Sequence, residues 1–265
     1  SGNTHASRSC YYHVSRVNEK ARSFLSRTWL NGQVTANMNI NDQCNADWDG
    51  SAINFFRSGG GCGNTGEIAA IFLHEWGHGL DSNDGSVSGD YGTGETYGDT
   101  MAFLQTHDSC VGPGFLTSNC SGYGDSCTSC TGVRDVDYNA HSSHSPHTIG
   151  SFVKNSCPTD YSYKGPCGKE GHCESYPLSE AMWDIANRDL GFDIATNWYI
   201  LDRLYFLTRP TSGSGYTCSN YVASGCGSSN WHTTFLVADD NDGNLSNGTP
   251  HSKDIYDAFN RHGVA

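Results

Sequence analysis

Residues 68–81, IAAIFLHEWGHGLD, place His74 and His78 four positions apart, with Glu75 directly after the first histidine. On an α-helix, residues i and i+4 lie one turn apart on the same face. Both imidazoles can therefore offer a nitrogen to one metal ion, which zinc binds at about 2.0–2.1 Å. Glu75 lies about 100° around the helix from His74, where it can reach a metal-bound water but not easily the ion. The stretch predicts a zinc-binding helix suited to hydrolysis, and two histidines packed in a core are the simpler alternative.

A third ligand for such an ion stands seventeen residues after His78, in the segment GETYGDTMAFL. Glu95 begins a predicted helix there, and Asp99 lies four residues later on the same face. Glu95 would complete a ligand set of two histidines and one glutamate, with the fourth position left for water, as in a catalytic zinc site. Asp99 is placed to accept the second N–H of a ligand histidine and so to fix its tautomer. A solvated acidic helix start is the alternative, because Glu is favoured near any helix N-terminus.

This spacing resembles the signature of the gluzincin metallopeptidases, the thermolysin and fungalysin kind, in which HExxH is followed by a glutamate ligand within an ExxxD helix. The resemblance is strong over residues 5–105, patchy over 107–170 and moderate over 171–190. It implies a zinc endopeptidase with His74, His78 and Glu95 as ligands and Glu75 as the base.

Asp81 and Asp84 are alternative third ligands. Asp84 lies six residues after His78, and another branch of zinc proteases takes its third ligand at that spacing. That branch turns the chain back with a glycine at the position that Asp81 holds here. The aspartate at this position therefore favours Glu95 over Asp84.

Residues 45–61, NADWDGSAINFFRSGGG, resemble the segment of the same family that carries its edge strand. An edge strand can bind an extended peptide by adding it as a further strand. The resemblance implies that Asn45 and Ala46 hold the substrate backbone and that Trp48 walls the cleft. Asp47 stands where the family usually has an aromatic residue, which leaves the subsite preference open. An ordinary polar hairpin turn is the alternative for this stretch.

Residues 171–191, GHCESYPLSEAMWDIANRDLG, are similar to the family segment in which a histidine precedes a helix that lines the cleft. The resemblance makes His172 the residue that donates a hydrogen bond or proton to the tetrahedral oxyanion. An aspartate five residues earlier orients this histidine in the family, and that position is Cys167 here. Asp160, Glu170 and Glu174 are the candidates to replace it, and the sequence does not choose among them.

The cysteine content indicates how a chain of this composition is stabilised. Only 36% of the 265 residues are hydrophobic and 32 are glycine, so the chain needs stabilisation beyond its core. Its 12 cysteines predict up to six disulfides and an oxidising compartment. The chain begins SGNTHASRSC, without an initiator Met or an apolar targeting run, so we expect the mature form of a secreted, extracellular protein.

The charge and the apolar pattern restrict the partners. A net charge of −13 argues against a nucleic-acid partner, which requires a basic face. No stretch approaches the roughly 18 apolar residues of a membrane span. We therefore expect a monomer whose partner is a protein or peptide substrate.

The pattern of apolar and turn-forming residues predicts an α+β fold with two lobes that form one catalytic unit. Residues 1–82 form a β-containing N-terminal lobe with the edge strand and the HEWGH helix. Residues 83–265 form a mainly helical, disulfide-rich C-terminal lobe with the third zinc ligand and His172. Apolar spacing places predicted helices at 7–30, 65–79, 176–190, 192–208 and 250–261, strands at 33–40 and 52–58, and long loops at 107–170.

Two further segments carry metal-binding patterns. The segment ADDNDGNLSNGTP crowds Asp239, Asp240, Asp242 and Asn244 beside a glycine, as calcium loops do. It misses the EF-hand pattern because the first ligand position falls on Ala238, so a calcium loop and an Asp/Asn-rich turn stay open as alternatives. The three histidines in NAHSSHSPHTIG are a second candidate tract.

These features together predict a secreted zinc endopeptidase that hydrolyses peptide bonds by Glu-assisted attack of a zinc-bound water. Glu75 takes the proton and passes it to the leaving amine, and His172 stabilises the oxyanion. Two alternatives are a secreted binding or adhesion module with a structural zinc, and a zinc peptidase directed at glycopeptides. Glu75 weighs against the binding module, because a structural site has no use for a base.

Overall fold

The computed structural model of the chain describes residues 3–265, which pack into two compact units. The first unit ends at Asp84 and resumes over Tyr97–His144, and the second comprises Gly85–Thr96 and Ser145–Ala265. Each unit combines helices with small sheets, so the fold is of the α+β class, as the sequence predicts. The assignment of 1–82 and 83–265 to two lobes of one catalytic unit stays a prediction.

The helices and strands follow the chain in this order. The helices are α1 (His5–Phe24), α2 (Ala69–Asp81), α3 (Tyr91–Thr106), α4 (Lys154–Ser156), α5 (Gly171–Glu174), α6 (Tyr176–Asp184), α7 (Ile194–Thr208), α8 (Trp231–Asp239) and α9 (Ser252–Arg261). The strands are β1 (Thr35–Ile40), β2 (Ala46–Trp48), β3 (Ala52–Phe56), β4 (Cys110–Val111), β5 (Arg134–Asp135), β6 (Thr217–Ser219) and β7 (Val222–Ser224). Within residues 3–265, none of the helices combines the length and apolarity that crossing a bilayer requires.

The first unit contains a three-stranded sheet in the order β1-β3-β2. The central strand β3 pairs in parallel with β1 and antiparallel with β2, with Trp48 opposite Ile53. The Asp49 carboxylate accepts the backbone N–H groups of Ser51 and Ala52 at 2.8 and 2.9 Å, which closes the turn from β2 to β3. β2 therefore lies at an edge of the sheet, in a stretch where the sequence also allowed a simple turn.

Helix α2 packs its apolar side on this sheet. Ile53 and Phe55 of β3 are buried with Ile71 and Phe72 of α2, and the rings of Phe55 and Phe72 meet edge to face at 5.2 Å. α2 begins at Ala69 because Thr65–Glu67 forms a separate 3₁₀ turn, closed by the Asn64 side chain on Gly66 N. The sheet and α2 together hold the HEWGH segment in a fixed position.

Five disulfides link ten of the twelve cysteines. The pairs are Cys44–Cys62, Cys110–Cys130, Cys120–Cys127, Cys157–Cys173 and Cys167–Cys218. Each disulfide closes within one of the two units, and two of them fasten the loops between β4 and β5. Cys10, which is buried, and Cys226, which is exposed, remain thiols, so the upper limit of six is not reached.

The second unit is built mainly from α6 to α9. Trp231 and Phe235 of α8 stack with parallel rings, and Phe235 meets Phe259 of α9 edge to face at 5.8 Å. All three rings are fully buried. The sequence pattern predicts α9 but not α8 or the β6–β7 hairpin, although Trp231 and Phe235 have helical spacing.

A buried ionic cluster, formed by His147, Glu180, Asp184, Arg261 and His262, fastens the C-terminal end of α9 to α6. His262 Nε2 lies 3.1 Å from Asp184 Oδ2, and His262 Nδ1 lies 3.2 Å from Glu180 Oε2. Burial alone would lower the pKa of His262, but the bonds to Asp184 and Glu180 outweigh it and raise the pKa to about 9. His262 is therefore charged at neutral pH, and the carboxylates of Glu180 and Asp184 balance its positive charge.

Candidate metal centre

The two histidines of α2 converge on one point. Their side chains leave the same face of the helix one turn apart, and His74 Nε2 lies 3.0 Å from His78 Nε2. His74 is buried and His78 is partly exposed. Two imidazole nitrogens directed at each other form a donor pair that fits a zinc ion.

Asp99 of α3 faces the other nitrogen of His74. Its Oδ1 lies 3.2 Å from His74 Nδ1, and Arg134 Nε donates to its Oδ2 at 2.7 Å. Asp99 is completely buried, which opposes ionisation, but Arg134 and His74 hold its pKa below the ordinary value. A carboxylate on Nδ1 leaves Nε2 of His74 as the nitrogen that can bind a metal.

The close contact of α2 and α3 depends on two glycines. A Cβ atom on Gly98 would lie 2.6 Å from the His74 ring, and one on Gly77 would lie 3.1 Å from Gly98 Cα. Distances below 3.0 Å are not sustained by real side chains, so α3 can lie against His74 only because position 98 has no side chain. The small residues on both helices thus bring Asp99 within reach of His74.

Glu95 precedes Asp99 on α3 by one turn, so both carboxylates leave the same face of that helix. Glu95 is buried at 1% exposure. In the second unit, the Tyr163 hydroxyl donates to Glu95 Oε1, and His172 Nε2 lies 3.4 Å from the same oxygen. The predicted third ligand is therefore surrounded by polar groups that hold its carboxylate in place.

The acid that orients His172 is Glu170. Its Oε1 lies 2.5 Å from His172 Nδ1, and the Tyr163 ring stacks on the imidazole at 4.9 Å with 21° between the planes. Glu174 instead accepts the backbone N–H groups of Cys167 and Lys169 and the hydroxyl of Tyr216. Asp160 caps its own turn by accepting two backbone N–H groups. The structure thus settles the choice that the sequence left open.

Tyr163 and Arg134 are site residues that the sequence analysis missed. Both lie within 107–170, where the sequence shows few periodic runs and predicted only loops. They contact α3 across sequence separations of 68 and 35 residues, and no local pattern signals such contacts.

The remaining candidates on α2 and after it have separate positions. Glu75 is buried at 6% exposure beside His74. Asp84, the alternative third ligand, is completely buried and its carboxylate accepts the Tyr97 hydroxyl. This bond directs Asp84 to Tyr97 of α3, and Asp84 as the third ligand stays an alternative prediction. Asp81 is buried near the end of α2.

Comparison with known proteins supports the fold. Over 100% of its length the chain is similar to 80% of a solved chain, the precursor of protealysin, a metalloproteinase from Serratia proteamaculans, with a TM-score of 0.67. The chain therefore shares the fold of that metalloproteinase precursor. The two chains share 16% of their residues, so the similarity concerns the fold alone. No family model matches the sequence, and no curated protein matches it.

The residues proposed to bind substrate lie at or directly before the edge strand β2. Ala46 and Trp48 belong to β2, and Asn45 directly precedes it, with its carbonyl accepting the Thr65 hydroxyl at 3.1 Å. The Trp48 indole donates to Ser82 Oγ at 3.2 Å and lies edge-on to Trp29. Asp47 accepts the Asn54 side chain at 2.9 Å. Contact of these residues with a substrate stays a prediction.

The carboxylates of the loop proposed for calcium accept hydrogen bonds from neighbouring residues. Asp239 is buried and accepts the Thr249 hydroxyl and both the backbone N–H and Nδ1 of His251. Asp242 accepts Asn244 N and the Asn247 side chain. Within residues 3–265, Asp239, Asp240 and Asp242 do not gather into one cluster of ligand atoms. These interactions build an Asp/Asn-rich turn, and a calcium loop stays a prediction.

Two histidines of the tract, His141 and His144, direct ring nitrogens at backbone carbonyl oxygens. His141 is buried, with Nδ1 and Nε2 at 2.6 and 2.9 Å from the carbonyl oxygens of Asp125 and Asp135. His144 Nδ1 faces the carbonyl of Asn139 at 2.8 Å. Both ring nitrogens of His141 thus face backbone carbonyl oxygens, and a second metal site at this tract stays a prediction.

Proposed function

We propose that this protein is a secreted zinc-dependent endopeptidase. The observation that carries the proposal is the convergence of His74 Nε2 and His78 Nε2, 3.0 Å apart, on a helix that also carries Glu75. The metalloproteinase fold supports it, and five disulfides are typical of a protein from an oxidising compartment.

The proposed ligands are His74, His78 and Glu95. Glu95 is supported by its position one turn before Asp99 on a continuous helix, because Asp99 itself faces His74. Three protein ligands of this kind leave a fourth position for catalysis. A bound zinc ion supplies Lewis-acid polarisation of the carbonyl and makes water acidic enough to attack at neutral pH.

The protein's own residues then move the protons. The Glu75 carboxylate, held in a buried position beside His74, accepts the proton of the attacking water and delivers it to the leaving amine. His172 donates from Nε2 to the oxygen that becomes negative, while Glu170 fixes the ring through Nδ1. Tyr163 holds the Glu95 carboxylate from one side and the His172 ring from the other.

The substrate is proposed to be an extended peptide that pairs with β2. β2 lies at an edge of its sheet, where backbone groups are open to a further strand. Asn45 and Ala46 would align the peptide, and Trp48 would contact its side chains.

The first experiment measures hydrolysis of a mixed protein substrate by the wild type, by Glu75→Ala and by the wild type with a zinc chelator. We expect cleavage by the untreated wild type alone, with the zinc content of Glu75→Ala unchanged by mass spectrometry. Glu67→Ala is the matched control, because Glu67 is exposed just before α2 and should retain activity. A folded, zinc-loaded wild type that cleaves nothing would favour a binding module with structural zinc.

A further inference from the structure

A groove of about 860 Å³ separates α1 from residues 31–38 in the first unit. One wall is a single stripe of α1, on which Arg8, Tyr11, Ser15, Asn18 and Arg22 recur at intervals of three and four residues. The other wall, from residues 31–38, consists of uncharged side chains. The volume lies within the range of about 300–1,000 Å³ that is typical of ligand sites, and the groove shares no lining residue with the candidate metal centre.

The charge of the groove is opposite to that of the chain. Among the described residues that line it, the charged ones are Arg8 and Arg22, although the net charge of the protein is −13. Both side chains are exposed. Arg8 donates to the neutral Asn3 side chain at 2.8 Å, and within residues 3–265 Arg22 forms no ion pair. Both guanidinium groups are therefore available to an anion, for which arginine is well suited.

The spacing of the two arginines matches an extended chain. They lie fourteen residues apart on α1, which corresponds to about 21 Å along the helix axis. An extended peptide advances about 3.3 Å per residue, so about six residues cover that distance. Side chains six residues apart point to the same side of an extended peptide, because successive side chains alternate.

The second wall offers backbone groups. β1 is the other edge strand of the sheet β1-β3-β2, and Ala36 and Met38 of β1 line the groove. An edge strand can pair with an added peptide. We propose that this groove binds an extended acidic peptide segment that carries two carboxylates six residues apart. The proposal goes beyond the proposed peptidase function and does not depend on it.

The test is a fluorescence anisotropy titration with a labelled seven-residue peptide that has glutamate at both ends and alternating valine and threonine between them. The wild type should bind this peptide, and an otherwise identical peptide with terminal glutamines should bind about tenfold more weakly or worse. Mass spectrometry of the peptide after the titration separates binding from hydrolysis, so the result is independent of peptidase activity.

Two double glutamate variants, one inside the groove and one outside it, change the net charge by the same amount and so locate the binding site. Arg8→Glu/Arg22→Glu should weaken binding by about tenfold or more, and Arg8→Gln/Arg22→Gln should act in the same direction. Arg16→Glu/Arg57→Glu changes the charge equally at exposed positions outside the groove and should leave the affinity within about twofold. Thermal unfolding checks that all variants are folded. Failure of the wild type to bind, equal binding of the glutamine peptide, or equal losses in the two glutamate variants would overturn the proposal.

Discussion

His172 receives its orienting carboxylate from a residue that the family resemblance does not indicate. The residue that precedes it by five, an aspartate in the family that the sequence resembles, is Cys167, and Cys167 forms a disulfide with Cys218. The orienting carboxylate comes from Glu170 instead, which also accepts Cys173 N at the start of α5. Glu170 reaches the imidazole because it caps the same helix that carries the histidine.

Glu170→Gln tests this orienting role. Glutamine keeps an acceptor for His172 but removes the charge, so we expect kcat/KM for a peptide substrate to fall by about tenfold or more, with the zinc content unchanged. Asp160→Asn is the matched control, since Asp160 is a partly exposed residue that caps its own turn. Equal activities of the two variants would remove Glu170 from the mechanism.

Tyr163→Phe tests the hold on Glu95. Loss of the hydroxyl leaves the Glu95 carboxylate without the donor described above, and loss of such a partner typically costs about 10- to 100-fold in metal affinity or activity. Competition with a chelator measures the zinc affinity. Tyr161→Phe, at a side chain that is 88% exposed, should bind zinc like the wild type. If Tyr163→Phe does the same, the hydroxyl has no role in zinc binding.

The candidate metal centre depends on the contact between α2 and α3 as well as on the HEWGH motif. The sequence predicts the helix from apolar spacing and the metal from HEWGH, and it also predicts the helix that contains Glu95 and Asp99. It does not predict that α2 and α3 approach at Gly77 and Gly98, because a glycine within a helix is unfavourable by itself. Only the neighbouring ring of His74 explains the glycine at position 98.

Gly98→Ala tests the helix contact. The added Cβ would lie 2.6 Å from the His74 ring, so we expect His74 to be displaced, zinc affinity to fall by about tenfold or more, and unfolding free energy to fall by about 1–3 kcal/mol. Chelator competition and urea unfolding measure the two effects. Gly191→Ala is the control, because a Cβ there meets no atom within 4 Å. Wild-type zinc affinity in Gly98→Ala would show that the helices tolerate the extra atom.

For the whole molecule, the class of the fold was predictable and its long-range contacts were not. Helical and strand spacing identifies α2, α7, α9, β1 and β3. The ionic cluster escapes prediction because His147 and His262 lie 115 residues apart, and nothing around either residue indicates a buried charge. The helix α8 was missed because turn-forming residues dominate the preceding stretch.

The ionic cluster predicts a pH dependence of stability. The pKa of His262 is raised in the folded state to about 9, above the ordinary value of about 6.5 for an unfolded histidine. Its contribution to stability is therefore complete below about pH 6.5 and is lost as the pH rises through about 9. Thermal unfolding from pH 6 to 10 should show a fall that His262→Gln lacks and that His144→Gln, at an exposed histidine, retains. Parallel pH profiles for His262→Gln and the wild type would contradict this assignment.

The buried thiol of Cys10 links the order of folding to the accuracy of disulfide pairing. Burial on the inner side of α1 raises its pKa from about 9 to about 12, so at neutral pH the thiolate is about a thousandfold rarer than in an exposed cysteine. Only the thiolate attacks disulfides. Docking of α1 therefore withdraws a nucleophile from the reactions that shuffle the ten paired cysteines. A chain whose first helix docks early protects its correct pairings, whereas a chain in which that helix stays undocked keeps the means to scramble them.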